Sequence, residues 1–347
     1  MAKTPIEVWS HRIWSSQLYD TATSIHVSKD GAIYVTGFVA GDLYEDLEGN
    51  RKSGISVTKF NSDGQSVWSK FENNRVNNVI DIFNGGRQLT TDSDGSVYIL
   101  TNEKRRNYQS TETNYTGIIK FDKDGNRQWS QEVGLSQFST GYSIGVLEND
   151  NSVILAGKSS YSYPYNDVNI LLQKFSQQSG DRIGWSYEPK PGFDTAYSIS
   201  PGANDTFYVT GLNSDNAFLA QYRSLDSNIT KNWSRDLGLE NLHNWRTSLV
   251  AADDGYIYVT GFNSSSAIFI SKYASNGFEV WKHFVEYEHN GTLPLINLSN
   301  DGSSIIVTTT ERELIYGSLE RSKTIVSSYS STDGSEQWDI NFNKDPK

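Results

Sequence analysis

Apolar and polar residues alternate along this chain in short runs, and the same order of runs recurs six times. Each copy begins with an alternating run, turns at Asp, Asn or Gly, and continues as Tyr-Val-Thr-Gly or a variant of it. A loop of variable length follows, then a run ending in Lys and an aromatic residue, a second turn, and a run with one Trp. Residues 31–37, 205–211 and 255–261 show the shared segment most plainly. Period-two alternation with β-branched and aromatic residues predicts four strands in each copy.

Four short strands joined by tight turns predict an antiparallel meander, and one such sheet cannot bury both of its faces alone. Radial packing of the copies covers these faces, so we expect an all-β fold, a β-propeller of six four-stranded blades. The variable length is expected in loops such as 102–116 and 159–167. The copies of this single domain, residues 1–347, are predicted at about 20–72, 73–134, 135–190, 191–238, 239–287 and 288–343.

The N-terminal segment complicates the number of blades. Residues 6–10, which contain Trp9, look like a seventh Trp run, but three strands do not precede it. We therefore interpret residues 1–19 as an extra strand that helps to close the ring beside the last blade. A ring of seven blades is the alternative, and it would need another full copy.

The copies resemble the SBBP type of β-propeller repeat of bacterial proteins. Asp30–Gly37 followed by residues 59–68 fits that pattern, and so do residues 254–261 followed by 272–281. The third and sixth copies depart from it, because they lack Tyr in the second strand, and Ser328 stands where Lys is usual. The resemblance implies a propeller over nearly the whole chain. It assigns no activity, since such repeats occur in many bacterial surface and secreted proteins.

Composition narrows the classes of partner. The chain has 41 acidic and 30 basic residues and a formal net charge of −11, which opposes binding to nucleic acid. There is no cysteine, so disulfides and thiolate chemistry are excluded. No apolar stretch is long enough to span a membrane, and no signal-peptide core stands at the N-terminus. The polar composition favours export without a cleaved signal, to the cell surface or beyond, with a cytoplasmic location as the alternative.

Candidate binding residues come from the junctions that precede the first strand of the copies. In a propeller these junctions meet on one face, around the mouth of the central channel. We expect a mixed polar and aromatic pocket there. Its predicted members are Asp20, Arg87, Tyr142, Asp194, Trp245 and Arg246. For Asp20 and Asp194 the alternative is that each carboxylate caps the turn that leads into the strand.

Repeated Trp residues are interpreted as structural, because a fixed repeat position favours a wedge between blades over a stacking surface. These residues are Trp68, Trp129, Trp185, Trp233, Trp281 and Trp338. The Asp-rich turn at 122–126 begins like a calcium loop but lacks the closing Glu, so we interpret such turns as capped by Asp or Asn. No cofactor is predicted. Calcium is left open, with Asp20 and Asp194 as ligands.

No catalytic constellation is visible in the linear sequence: the five His residues are scattered, and there is no Gly-x-Ser-x-Gly elbow. We therefore expect a non-enzymatic binding or scaffold propeller that presents its loops and channel mouth to a protein or glycan partner. The first alternative is a metal-dependent, lactonase-like hydrolase that uses the channel. The second is a structural segment of a larger surface assembly.

Overall fold

A computed structural model provides the fold. It describes residue 10 and residues 21–39, 54–72, 80–106, 112–133, 139–160, 167–187, 192–214, 216–239, 247–262, 267–286, 292–315 and 319–343. The predicted N-terminal Trp strand and the junction residues Asp20, Trp245 and Arg246 lie outside these ranges. The described residues form two compact units, Glu7–Lys190 and a unit that contains Pro191–Lys347.

Three four-stranded antiparallel sheets make up the unit Glu7–Lys190, each with its strands in chain order from one edge to the other. Its strands are β1 (Thr21–Val27), β2 (Ile33–Val39), β3 (Gly54–Phe60), β4 (Ser66–Glu72), β5 (Ile80–Thr91), β6 (Val97–Arg106), β7 (Glu112–Phe121), β8 (Arg127–Val133), β9 (Thr140–Leu147), β10 (Ser152–Ser160), β11 (Asp167–Ser176) and β12 (Arg182–Tyr187).

The other unit repeats this plan in three further sheets, preceded by the two-residue strand β13 (Gly192–Phe193). Its strands are β14 (Thr195–Pro201), β15 (Thr206–Asn213), β16 (Asn216–Leu225), β17 (Asn228–Asp236), β18 (Thr247–Ala251), β19 (Ile257–Phe262), β20 (Ile268–Tyr273), β21 (Glu279–Val285), β22 (Thr292–Leu298), β23 (Ser304–Ile315), β24 (Leu319–Ser330) and β25 (Glu336–Asn343). The six sheets are blades one to six, and the all-β fold with six four-stranded blades confirms the predicted propeller class.

Within each unit, hydrophobic clusters fill the space between consecutive blades. Tyr34 and Val57 of blade one pack with Ile99 and Phe121 of blade two. The same arrangement recurs between blades two and three, four and five, and five and six. Burial of a side chain of this size stabilises the fold by roughly 1.5–3 kcal/mol. The core therefore lies between sheets, as the repeat pattern requires, because a single blade cannot cover itself.

One predicted loop is largely strand. Residues 102–116 were expected to connect the second and third strands of their copy irregularly. In the structure β6 and β7 continue the hairpin, with Asn102 opposite Thr116 and Arg106 opposite Glu112. The reason is that this segment has polar, strand-compatible residues without Pro or Gly, so the ladder extends beyond the core. In the part of the chain that the structure describes, no helix has the length and apolar character needed to cross a membrane.

Candidate functional site

In blades one to four the first strand contains a one-residue β-bulge at the junction that the sequence singled out, and the register of β22 in blade six also shifts, between Thr292 and Leu295. In blade one the register passes from Ala22 opposite Gly37 to Ser24 opposite Thr36, so Thr23 is the extra residue. The corresponding extra residues are Arg87 in β5, Tyr142 in β9 and Tyr197 in β14. A bulge leaves one residue out of the ladder and re-aims its side chain. Blades one to four therefore each present one variable side chain at the same backbone position.

The glycine that ends the Tyr-Val-Thr-Gly segment makes room for this bulge in blades one, three and four. A Cβ atom built on Gly37, Gly157 or Gly211 would overlap the backbone carbonyl oxygen of a residue in the neighbouring first strand. Blade two has Thr101 at this position, and its partner in the first strand is Gly86. Only a residue without a side chain permits so close an approach. The Tyr-Val-Thr-Gly signature thus includes a steric requirement of the site as well as a strand pattern.

Two of the predicted pocket residues meet in the unit Glu7–Lys190. The guanidinium carbon of Arg87 lies 4.7 Å from the centroid of the Tyr142 ring. The ammonium nitrogen of Lys158, on β10, lies 5.9 Å from the same centroid. All three side chains are half-buried. We call Arg87, Tyr142 and Lys158 the Arg87 cluster. Its two cations share one aromatic ring, and both distances are within the range of cation–π attraction.

The Arg87 cluster is anchored to blade one through the neighbouring bulge. The Thr23 hydroxyl donates a hydrogen bond to the backbone carbonyl of Gly86, directly before Arg87. The Ser24 hydroxyl accepts a hydrogen bond from the Leu89 amide at 3.3 Å. The Gln88 side-chain carbonyl accepts a hydrogen bond from the Ile144 amide at 2.8 Å. Side chains on both sides of Arg87 therefore fix its backbone against the first strands of blades one and three.

Lys158 is the member of the cluster that sequence reasoning missed. It directly follows the glycine of the third copy, and this position could have drawn attention to it. The other copies have an uncharged residue there: Phe38, Asn102, Leu212, Phe262 and Thr310. Lys158 is charged where its counterparts are uncharged. A residue that differs in this way from its counterparts indicates a role specific to its own blade.

Asp194 is bonded to a turn other than the one that leads into the strand after it. Its side chain is 1 % exposed, and one carboxylate oxygen accepts a hydrogen bond from the Ser214 amide at 2.8 Å. Ser214 has a φ of 46°, so the bond holds a left-handed residue in the turn between β15 and β16. Asp20, Trp245 and Arg246 lie outside the described residues, so their place in the predicted pocket remains a prediction.

In the Asp-rich turn at 122–126, the Asp122 carboxylate accepts hydrogen bonds from nearby N–H groups. One Asp122 oxygen accepts hydrogen bonds from the amides of Asp124 at 3.0 Å and Asn126 at 2.8 Å. Side-chain amides of Asn126 and Gln128 occupy its other oxygen. Among the described residues, no three His, Cys, Asp or Glu side chains group as a metal site would require. Calcium therefore remains an untested expectation.

The Trp and Lys positions of the repeat tie each blade to the next within a unit. In blade two, the Trp129 indole N–H and the Lys120 ammonium both donate to the Gln177 carbonyl of blade three, at 3.0 and 2.9 Å. Trp68 with Lys59 makes the same pair of bonds to Lys123, and Trp233 with Gln221 bonds to Ser275. In these three blades both side chains donate to one backbone carbonyl of the following blade. In blade five Lys272 donates to the Ser331 carbonyl and Trp281 to the neighbouring Thr332 carbonyl.

Comparisons with known proteins identify a fold likeness and no family. No protein-family model matches the sequence, and no curated protein is similar to it. The structure is similar to the periplasmic gluconolactonase PpgL of Pseudomonas aeruginosa, with a TM-score of 0.53 and 9% identity over 92% of this chain and 84% of that one. It also matches a protein of Bacteroides uniformis ATCC 8492, provisionally assigned as a 6-phosphogluconolactonase, with a TM-score of 0.49 and 13% identity over 95% and 90% of the chains. The SBBP resemblance remains a prediction.

These comparisons correct the functional expectation drawn from the sequence. The non-enzymatic binding or scaffold propeller was wrong as the leading interpretation, because the solved structures that resemble this chain include a gluconolactonase. The inference failed for a physical reason. In a propeller, side chains from separate blades meet in space, so the lack of a contiguous catalytic motif in the sequence says little about the site.

Proposed function

We propose that this protein is a lactonase-like hydrolase that acts on a small sugar ester with an anionic group, and that the Arg87 cluster holds that group. The observation that carries the proposal is the convergence of two half-buried cations, Arg87 and Lys158, on the Tyr142 ring. The likeness to a gluconolactonase supports the reaction class, since the same architecture carries that activity in another protein.

The chemistry of the cluster fits a phosphate or carboxylate. A guanidinium presents a planar fork of N–H donors that matches the oxygen pairs of such anions, and a lysine adds a point charge beside it. The chain as a whole has a net charge of −11, and the two half-buried cations lie against the same ring. The Tyr142 ring positions both cations.

In the proposed reaction, water adds to the ring carbonyl of the lactone, and the bond between that carbon and the ring oxygen breaks. The alkoxide takes the proton that water releases, so the product is a hydroxy acid. The Arg87 cluster contributes binding and orientation by fixing the anionic group remote from the carbonyl. Binding energy of this kind lowers KM, and where it fixes the reactive orientation it also raises kcat.

A pH-stat assay tests the proposal, because lactone hydrolysis releases acid. We expect the protein to accelerate hydrolysis of 6-phosphogluconolactone above the protein-free rate, and to do so less for gluconolactone, which lacks the phosphate. Arg87→Gln should raise KM for the phosphorylated lactone about tenfold, the usual effect of losing one charge-assisted contact. Rates equal to the protein-free rate for both lactones would overturn the proposal.

A further inference from the structure

One hydrogen bond recurs between the first strands of consecutive blades. In the unit Glu7–Lys190, the Ser24 hydroxyl of blade one accepts it from the Leu89 amide of blade two, at 3.3 Å. Its counterparts in the other unit join Ser198 to the Leu249 amide and Ser248 to the Ile296 amide, at 3.2 and 3.4 Å. The length of the acceptor side chain therefore determines how far apart the two strands lie at this point.

Gln88 takes the place of serine in the bond between blades two and three. Its side-chain carbonyl accepts from the Ile144 amide at 2.8 Å. The residues at the same position in the other copies are Ser24, Ser143, Ser198 and Ser248, with Leu295 in blade six. Glutamine reaches its acceptor oxygen through two more carbon–carbon bonds than serine, of about 1.5 Å each. The first strands of blades two and three are therefore held farther apart than a serine would hold them.

Leu100 is a second and independent sign of this wider spacing. It lies opposite Gln88 in the sheet of blade two. Its counterparts in the other copies are smaller: Thr36, Ala156, Thr210, Thr260 and Thr308. Leu100 is fully buried and belongs to the hydrophobic cluster that contains Ile144 and Leu155 of blade three. Because protein interiors are close-packed, the larger side chain needs a wider space between the two sheets.

The Arg87 cluster lies at this wider interface. Arg87 directly precedes Gln88 on β5, and Tyr142 lies two residues before Ile144 on β9. The guanidinium of Arg87 and the ring of Tyr142 therefore meet between the two strands that Gln88 separates. A binding site of this kind must be held to within about 0.5 Å of its working geometry. The spacing of the two strands thus determines which anion the cluster accepts.

We propose that Gln88 and Leu100 are positioning residues that fit the Arg87 cluster to a phosphate monoester in preference to a carboxylate. This inference rests on the proposed function of the cluster. A phosphate monoester carries a charge of about −1.5 to −2 at pH 7, which matches two cations better than the single charge of a carboxylate does. Two of its oxygens pair with the guanidinium fork, and a third accepts from the ammonium of Lys158. The wider space admits this tetrahedral group.

Isothermal titration calorimetry with glucose 6-phosphate and glucuronate tests this proposal, because the two ligands share a sugar ring and differ in the anionic group. We expect the wild type to bind glucose 6-phosphate about tenfold more tightly than glucuronate. The Gln88→Ser, Leu100→Thr double variant has the pair that blade one has, Ser24 and Thr36, and should lose this preference. Gln88→Met keeps the length of the side chain without its acceptor oxygen, so the preference should stay within about threefold of the wild type.

Ser198→Ala is the matched control, because it removes the same type of bond, from the Leu249 amide, in the other unit. It should leave both affinities unchanged. A general loss of stability would weaken both ligands alike, so the ratio of the two affinities isolates the effect of spacing.

Three results would overturn the proposal. They are equal binding of the two ligands by the wild type, an unchanged preference in the double variant, and a loss of preference in Gln88→Met or Ser198→Ala as large as in the double variant. None of them depends on lactone hydrolysis. If the expected preference is found but neither lactone is hydrolysed, the proposed reaction alone is wrong.

Discussion

The guanidinium of Arg87 lies over the ring of Tyr142, with 4.7 Å between the guanidinium carbon and the ring centroid. Both residues are the extra residue of a β-bulge in the first strand of their blade. Blades two and three are therefore in contact through side chains at a position where each copy has a different residue. This relationship connects the periodic fold to a site that belongs to this chain.

Replacement of Tyr142 separates the aromatic ring from its hydroxyl. Tyr142→Phe keeps a ring for Arg87 and Lys158, so we expect a loss of stability below about 0.5 kcal/mol. Tyr142→Leu removes both cation–π contacts and should cost about 1–2 kcal/mol. Chemical denaturation of the two variants measures the difference. Equal midpoints would show that the ring does not hold the two cations.

Glycine at the bulge is expected to be a strict steric requirement. In Gly157→Ala the new Cβ would overlap the Thr140 carbonyl oxygen, which is backbone and cannot rotate away. We expect a loss of about 3 kcal/mol in the free energy of unfolding. Gly302→Ala is the control: Gly302 has open space around it but a φ of 68°, so strain of about 1 kcal/mol is expected there. A control loss as large as the test loss would contradict the steric explanation.

A double-mutant cycle tests the bonds between blades two and three. Trp129→Phe and Lys120→Met each remove one of two donors to the Gln177 carbonyl, and either donor alone still satisfies it. Each single variant should lose about 1 kcal/mol, and the double variant should lose more than their sum, because the carbonyl is then left unsatisfied. Losses that merely add would show that the two donors act independently.

Stability should decrease in acid through two turn carboxylates. Hydrogen bonds from the hydroxyls and amides of neighbouring serines lower the pKa of Asp301 and of Asp333 from 3.8 to about 2. A pKa lowered by folding means that the stabilisation is complete well above pH 3.8 and is lost as the pH falls toward 2. Denaturation midpoints measured between about pH 5 and pH 2 should fall less steeply in the Asp301→Asn, Asp333→Asn double variant than in the wild type. An unchanged slope would contradict this assignment.

The fold could be predicted from the sequence because the same pattern of strand and turn residues occurs in each copy. Tyr, Val, Thr and Gly at fixed positions specify a strand, its buried face and the space for a bulge. A copy that departs from this pattern can still be interpreted by comparison with the other copies. The extended hairpin of β6 and β7 could not be predicted, because its polar residues fit a loop or an exposed ladder equally well.

Prediction of the site was limited by distance along the chain. Arg87 and Tyr142 were identified because both lie at the junction where the first strand of a copy begins. Lys158 was missed because it lies on β10, the second strand of blade three, and contacts the Tyr142 ring from the strand next to β9.

The most direct measurement is the ratio of kcat/KM for 6-phosphogluconolactone to that for gluconolactone, compared between the wild type and the Arg87→Gln, Lys158→Gln double variant. If the Arg87 cluster holds an anionic group, the wild type favours the phosphorylated lactone and the double variant loses about 100-fold of that preference, tenfold for each cation. A preference that is absent in the wild type, or unchanged in the double variant, would contradict this assignment.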